Sequence, residues 1–174
     1  MSNVANMPAR GAAAETEENL TEFLSKPTEV TIPKHGGKIT PQELKELFDV
    51  FEPDEASWTA RALPTPAMLL QIATVSETGL IDEVGASLKA DKKKLALRRQ
   101  HVVAFVMDER CVAEIPAGGD TGILFYYWKG KVVKTGYLFQ SNSTGGLGLA
   151  ELDEDAKDVL PEHAGFKFAV PKKR

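Results

Sequence analysis

The residues of this 174-residue chain best equipped for chemistry are three histidines, His35, His101 and His163, a lone Cys111 and the triplet Asp108-Glu109-Arg110. Carboxylates in unequal environments can divide the duties of general acid and general base, with a neighbouring arginine as anion clamp. His101, Asp108, Glu109 and His163 together would then serve a small hydrolase or transferase. No two histidines have the i, i+4 spacing of a helical zinc motif, so neither a metal nor a cofactor is expected. Cys111 has no second cysteine to pair with and reads as a small buried hydrophobe. A charged triplet between two apolar runs is more often a turn than a catalytic set. Expectation therefore leans away from an enzyme.

Two further stretches bear on anions. Ser143-Thr144-Gly145-Gly146-Leu147-Gly148 could present backbone amides to an oxyanion or phosphate. It lacks the Gly-Lys-Ser/Thr ending of a phosphate loop and the dinucleotide fingerprint, and it reads as a connection. Lys89, Lys92, Lys93, Lys94, Arg98 and Arg99 form a basic block, of which Lys92, Lys93, Lys94, Arg98 and Arg99 would carry a nucleic-acid-associated regulator. No aromatic side chain is interleaved to stack on bases, and the net charge is -4, so a solvated helix face is the preferred reading and nucleic acid is disfavoured. An acidic block, Glu151, Asp153, Glu154, Asp155, Asp158 and Glu162, could attract the basic one across the fold or meet a partner of opposite sign.

The elements that position these residues can be read from spacing. Thr40, Pro41 and Glu43 compose a capping box with proline in the first turn, and Ile39 and Leu44 fit a hydrophobic staple. A helix is predicted from there to about Glu52, ahead of Pro53. Thr65-Pro66 opens a second predicted helix through Leu69, Ile72 and Ala73, Leu80 to Leu88 a third, and Asp91 caps a fourth at Lys92. Thr28 to Ile32 alternates as a strand. His101 to Met107 is β-branched and favours a strand over a continued helix, and Cys111 to Ile115 alternates as another. Ile123 to Trp128 and Lys131 to Phe139 form an aromatic hairpin across Lys129-Gly130, with both faces partly apolar. Leu149 to Leu160 reads as an acidic helix and Phe166 to Val170 as a last strand.

Together these predict an α+β fold in which a helical cluster at about residues 40–100 packs on a small, mostly antiparallel sheet formed by about residues 101–140 and a C-terminal strand. Residues 1–27 hold few large apolar groups and read as a flexible arm, 28–170 as one domain and 171–174 as a basic tail. No apolar run approaches the roughly 20 residues that span a bilayer, so no membrane role is expected. The function expected is that of a non-catalytic structural or protein-binding subunit of a larger assembly, a virion or tail component being one example. Leu20, Phe23 and Leu24 of the arm and Tyr126, Trp128 and Tyr137 of the hairpin are the expected contacts with another protein or a second copy of the chain. Such a subunit would work in the cytoplasm or within an assembled particle.

Overall fold

The computed structural model describes residues 24–172, except 26, 89, 118–120, 153–158 and 161–164. Within them an α+β fold is built on a seven-stranded mixed sheet with the order β1-β3-β9-β5-β6-β7-β2. The strands are β1 (Thr28–Ile32), β2 (Val50–Phe51), β3 (Met68–Thr74), β5 (Gly122–Lys129), β6 (Val132–Gln140), β7 (Leu147–Leu152) and β9 (Lys167–Pro171). A separate pair joins β4 (Gly79–Leu80) to β8 (Val159–Leu160). Six helices are described: α1 (Pro41–Leu47), α2 (Glu55–Thr59), α3 (Ile81–Ser87), α4 (Lys92–Leu95), α5 (Arg99–Met107) and α6 (Glu109–Val112). All large-sheet pairings are antiparallel except β5 with β9 and β2 with β7.

β5 is the middle strand and its side chains alternate between two cores. Ile123, Phe125 and Tyr127 enter the core that holds α5, Leu44 of α1 and Trp58 of α2. Leu124 and Tyr126 enter the one that holds Val84 of α3, Leu95 of α4, Phe168 and Leu24. A period of two along a strand sends successive side chains to opposite faces. The hairpin is apolar on both faces because helices of the same chain cover both.

Several elements differ from their sequence reading, each for a physical reason. Residues 101–107 belong to α5, a helix, where a strand was expected: Gln100 to Val106 are all buried, and a helix enclosed on every side has no polar stripe to reveal its period. Residues 68–74 form β3 rather than a helix, since pairing with β1 on one side and β9 on the other overrides the weak preferences of Met, Leu and Gln. The sheet is accordingly larger, and the helical cluster smaller, than the composition of residues 40–100 suggests. Cys111 and Val112 lie in α6 instead of a strand, because the Asp108 carboxylate accepts from the N–H groups of Arg110, at 2.9 Å, and Cys111, at 3.1 Å, and starts a helical turn. Leu149 to Leu152 continue β7 rather than starting an acidic helix, as the turn after Ser141 folds β7 back onto β6. The capping box at Thr40 and Glu43 forms with both hydrogen bonds at 3.2 Å, but α1 stops at Leu47 and Val50–Phe51 pairs with β7.

Two expected partner contacts lie inside the protein. Leu24 is 1% exposed and bridges Val75, while Ser25 N–H donates to the Thr74 carbonyl, so the fold takes up the chain ahead of the boundary expected at residue 28. An apolar side chain four residues from β1 gains more from the sheet's second face than from solvent. Tyr126 is 3% exposed, its ring against Phe168. At the other terminus Pro171 is in β9 and Lys172 N–H donates to Leu69, so the start of the expected tail is part of the sheet. Leu20, Phe23 and His163 lie outside the described residues. Leu24→Ala should destabilise the protein by about 2–4 kcal/mol, read by urea unfolding, as expected for a large-to-small change in a core; a change below about 0.5 kcal/mol, typical of a surface site, would contradict this placement.

Candidate functional site

The described residues do not gather the histidine and carboxylates into one cleft. His101 lies in the first turn of α5, and Asp108 follows its last residue, about 10 Å further along at the rise of an α-helix. His101 is buried, and its Nδ1 accepts from the N–H of Arg98 at 3.0 Å, which leaves the proton on Nε2. Burial, with Arg98 and His35 nearby, pushes its pKa down to about 4. It is therefore neutral at pH 7 and acts as a helix cap. Asp108 is committed to the amides of α6, and Glu109 stands in that helix's first turn. Cys111 is fully buried, and burial together with Asp108 and Glu114 pushes its thiol up to about 12, the opposite of an activated nucleophile. His35 Nδ1 accepts from Gly37 N–H in a loop. No group of three potential metal ligands occurs among the described residues.

The glycine-rich loop is a β6–β7 turn, closed by Ser141 N–H to Gly146 carbonyl at 2.7 Å. A Cβ on Gly146 would sit 1.8 Å from Asp49 Oδ2, so a carboxylate already stands against the loop and repels an anion there. Another polar cluster is structural. The Tyr127 hydroxyl donates to Glu151, which also pairs with Lys129 at 3.2 Å, and the ring lies 5.5 Å from that of Trp58. Burial and the bond to Glu151 hold the phenol well above its usual range, as a permanent donor.

What the fold does assemble is a recess of about 390 Å³ whose wall includes Arg61, Leu63, Arg98, Arg99, Gln100 and Trp128. Its parts are firmly positioned. Leu97 runs beside the end of β5, donating to Tyr126 at 2.8 Å and accepting from Trp128 at 2.9 Å, which sets Arg98 next to Trp128. From the first turn of α5, Arg99 Nη2 donates to the carbonyls of Ala60, at 2.8 Å, and Arg61, at 3.3 Å, and Gln100 Nε2 donates to Leu63 at 2.8 Å. These bonds strap the 60–63 segment onto the helix. Behind it, His35 and Thr65 exchange two backbone bonds of 2.9 Å, and Gly37, at φ 92, lies so close that a Cβ would be 2.6 Å from the Ala62 carbonyl oxygen.

Charge within the recess is uncompensated among the described residues. None of them with an acidic side chain lines it, and none of Arg61, Arg98 and Arg99 takes part in an ion pair with one. Arg99 Nε is buried without a partner, and desolvation lowers the pKa of that guanidinium. Leu63 is 73% exposed at the rim. Arg98, Arg99 and Trp128 were candidates from sequence, in separate groups, and the structure brings them together. Arg61 and Leu63 were missed, since an irregular segment carries no periodic signal; Gly37, which lets the chain pack behind them, was the only hint. Lys92, Lys93 and Lys94 do not line the recess; they sit exposed on α4, with Lys92 Nζ 5.4 Å from the Tyr126 ring centroid. Tyr137 is half-buried and stacks on Phe139. Comparison of the chain with protein-family models, with curated proteins and with solved structures finds no match in any of the three.

Two outcomes follow from this geometry. The depressed His101 pKa means that unfolding takes up a proton between about pH 6.5 and 4, so stability is full above pH 6.5 and falls as pH drops through that window, by about 3 kcal/mol at pH 4 from this group. His101→Asn should remove that part of the pH dependence in urea unfolding measured at pH 7 and pH 4.5; an unchanged dependence would refute the assignment. Gly37→Ala, placing a Cβ both in the left-handed region and against Ala62, should destabilise by about 1–3 kcal/mol in thermal unfolding.

Proposed function

We propose that the protein is a non-catalytic binding subunit that recognises an acidic segment of a partner protein at the arginine recess. The observation that carries the reading is the set of three guanidiniums, Arg61, Arg98 and Arg99, lining one recess without a counter-ion among the described residues. Like charges held together in this way destabilise a fold unless something of opposite sign is brought to them. Arginine and tryptophan are also the residues that dominate binding energy at protein interfaces, and Leu63 supplies an apolar rim. The strapped 60–63 segment reduces the ordering that binding requires, which favours affinity.

The role proposed for the hairpin shifts accordingly. Tyr126 is interior, and Trp128 is the hairpin residue available to the partner at the recess. The sequence before Leu24, with Leu20 and Phe23 among its few large apolar residues, is proposed to add a second point of attachment. A subunit of this kind would operate in the cytoplasm or in an assembled particle; no described helix is long and apolar enough to cross a membrane.

Charge reversal tests the reading. Capture of partners from the native source should return a protein that the wild-type chain and Lys93→Ala both retain and that the double variant Arg61→Glu, Arg98→Glu loses. The retained fraction should also fall as salt is raised from 50 to 300 mM, since the contact is electrostatic. A partner retained equally by the double variant would remove the recess as the docking site.

A further inference from the structure

The chemistry of the recess narrows what can dock there. We propose that it seats a phosphomonoester, carried on a serine or threonine of the partner protein. This inference rests on the docking reading above and goes beyond it by fixing the group that is bound.

Donors dominate the wall of the recess. Each guanidinium offers five N–H groups and no acceptor. Arg99 gives one nitrogen, Nη2, to the carbonyls of Ala60 and Arg61, and its Nε–H remains buried without a partner. Arg61 and Arg98 have no ion-pair partner among the described residues. The first turn of α5 adds to this excess: no described residue accepts from the N–H of Arg99 or Gln100, and Arg98 at the cap position has no side-chain acceptor. α1, α2, α4 and α6 are capped instead by Thr40, Asp54, Asp91 and Asp108. At α5 no described residue accepts from those two N–H groups.

A carboxylate brings one charge and two oxygens in one plane, which match a single guanidinium fork. A phosphomonoester brings a charge of about -1.5 to -2 at neutral pH and three terminal oxygens in different directions. It can engage two forks and the helix N–H groups at once. Three arginines with no counter-ion among the described residues, around about 390 Å³ of space, call for the second kind of anion. The residue Gln100 does not compete for the ligand, because its amide is already bonded to Leu63.

The test uses amide spectra of the full chain, titrated at constant ionic strength with inorganic phosphate, O-phosphoserine, acetate and adenosine monophosphate. Phosphate and phosphoserine should give saturable shifts at Arg98, Arg99, Gln100 and Gly130, and acetate should bind at least tenfold more weakly. Arg61→Ala and Arg98→Ala, whose exposed side chains make none of the strap's bonds, should each weaken phosphoserine by about tenfold, the loss of one charge-assisted contact. Lys93→Ala should leave it unchanged, and all three variants should keep the wild-type spectrum away from the recess. Four results would overturn the inference: no saturable shift, acetate binding as tightly as phosphoserine, undiminished binding in both arginine variants, or adenosine monophosphate binding more than tenfold tighter than phosphoserine. Partner capture that depends on Arg61 and Arg98 while phosphate fails to bind would sink the phosphate inference and leave the docking reading standing. Phosphate binding with capture unchanged by charge reversal would sink the docking reading instead.

Discussion

The whole structure turns on β5 being wrapped on both faces. Five consecutive residues, Ile123 to Tyr127, are almost entirely removed from solvent, and they divide between two cores. A strand of this composition left open on either face would recruit other strands. The chain supplies cover from sequence positions far apart: α5, α1 and α2 on one face, α3, α4 and the turn of chain at Leu24 on the other. The recess is a by-product of that arrangement. Leu97 has to lie alongside β5 before α5 can begin, and the first residues after it, Arg98 and Arg99, are thereby set at the lip of the sheet.

How much of this was legible depends on whether an element advertises itself locally. The capping box at Thr40 and Glu43, the cap at Asp91 and the aromatic hairpin are specified by residues within a few positions of each other, and all three form, the hairpin with its turn at Gly130-Lys131, one residue later than read. α5 and β3 are specified by what surrounds them. Enclosure removes the amphipathic period from Arg99–Met107, and neighbouring strands on both sides make Met68–Thr74 extended despite its helix-favouring residues. The α+β class survives these exchanges because two expected strands become helices and two expected helices become strands, so both kinds of element remain.

The recess was harder to read than the fold. Arg61 stands 37 residues before Arg98, and nothing in either neighbourhood indicates that they share a cavity. The strap that joins them runs through side-chain to backbone bonds from Arg99 and Gln100, which sequence spacing does not encode. Conversely, three of the positions that did look chemical are occupied. His101 receives the amide of its own helix start, Asp108 caps the next helix, and Gly146 lies against a carboxylate. Groups with strong local hydrogen-bonding capacity are the ones a fold enlists first for its own termini and turns.

Cys111 has a use of its own. It is the single thiol of the chain, fully enclosed in α6 against the Thr31 carbonyl of β1, with its ionisation suppressed. A disulfide reagent can reach it only when α6 and β1 part, and then reacts at one site per molecule. The modification rate under native conditions therefore clocks the opening of the sheet's edge, separately from global unfolding and with no engineered label.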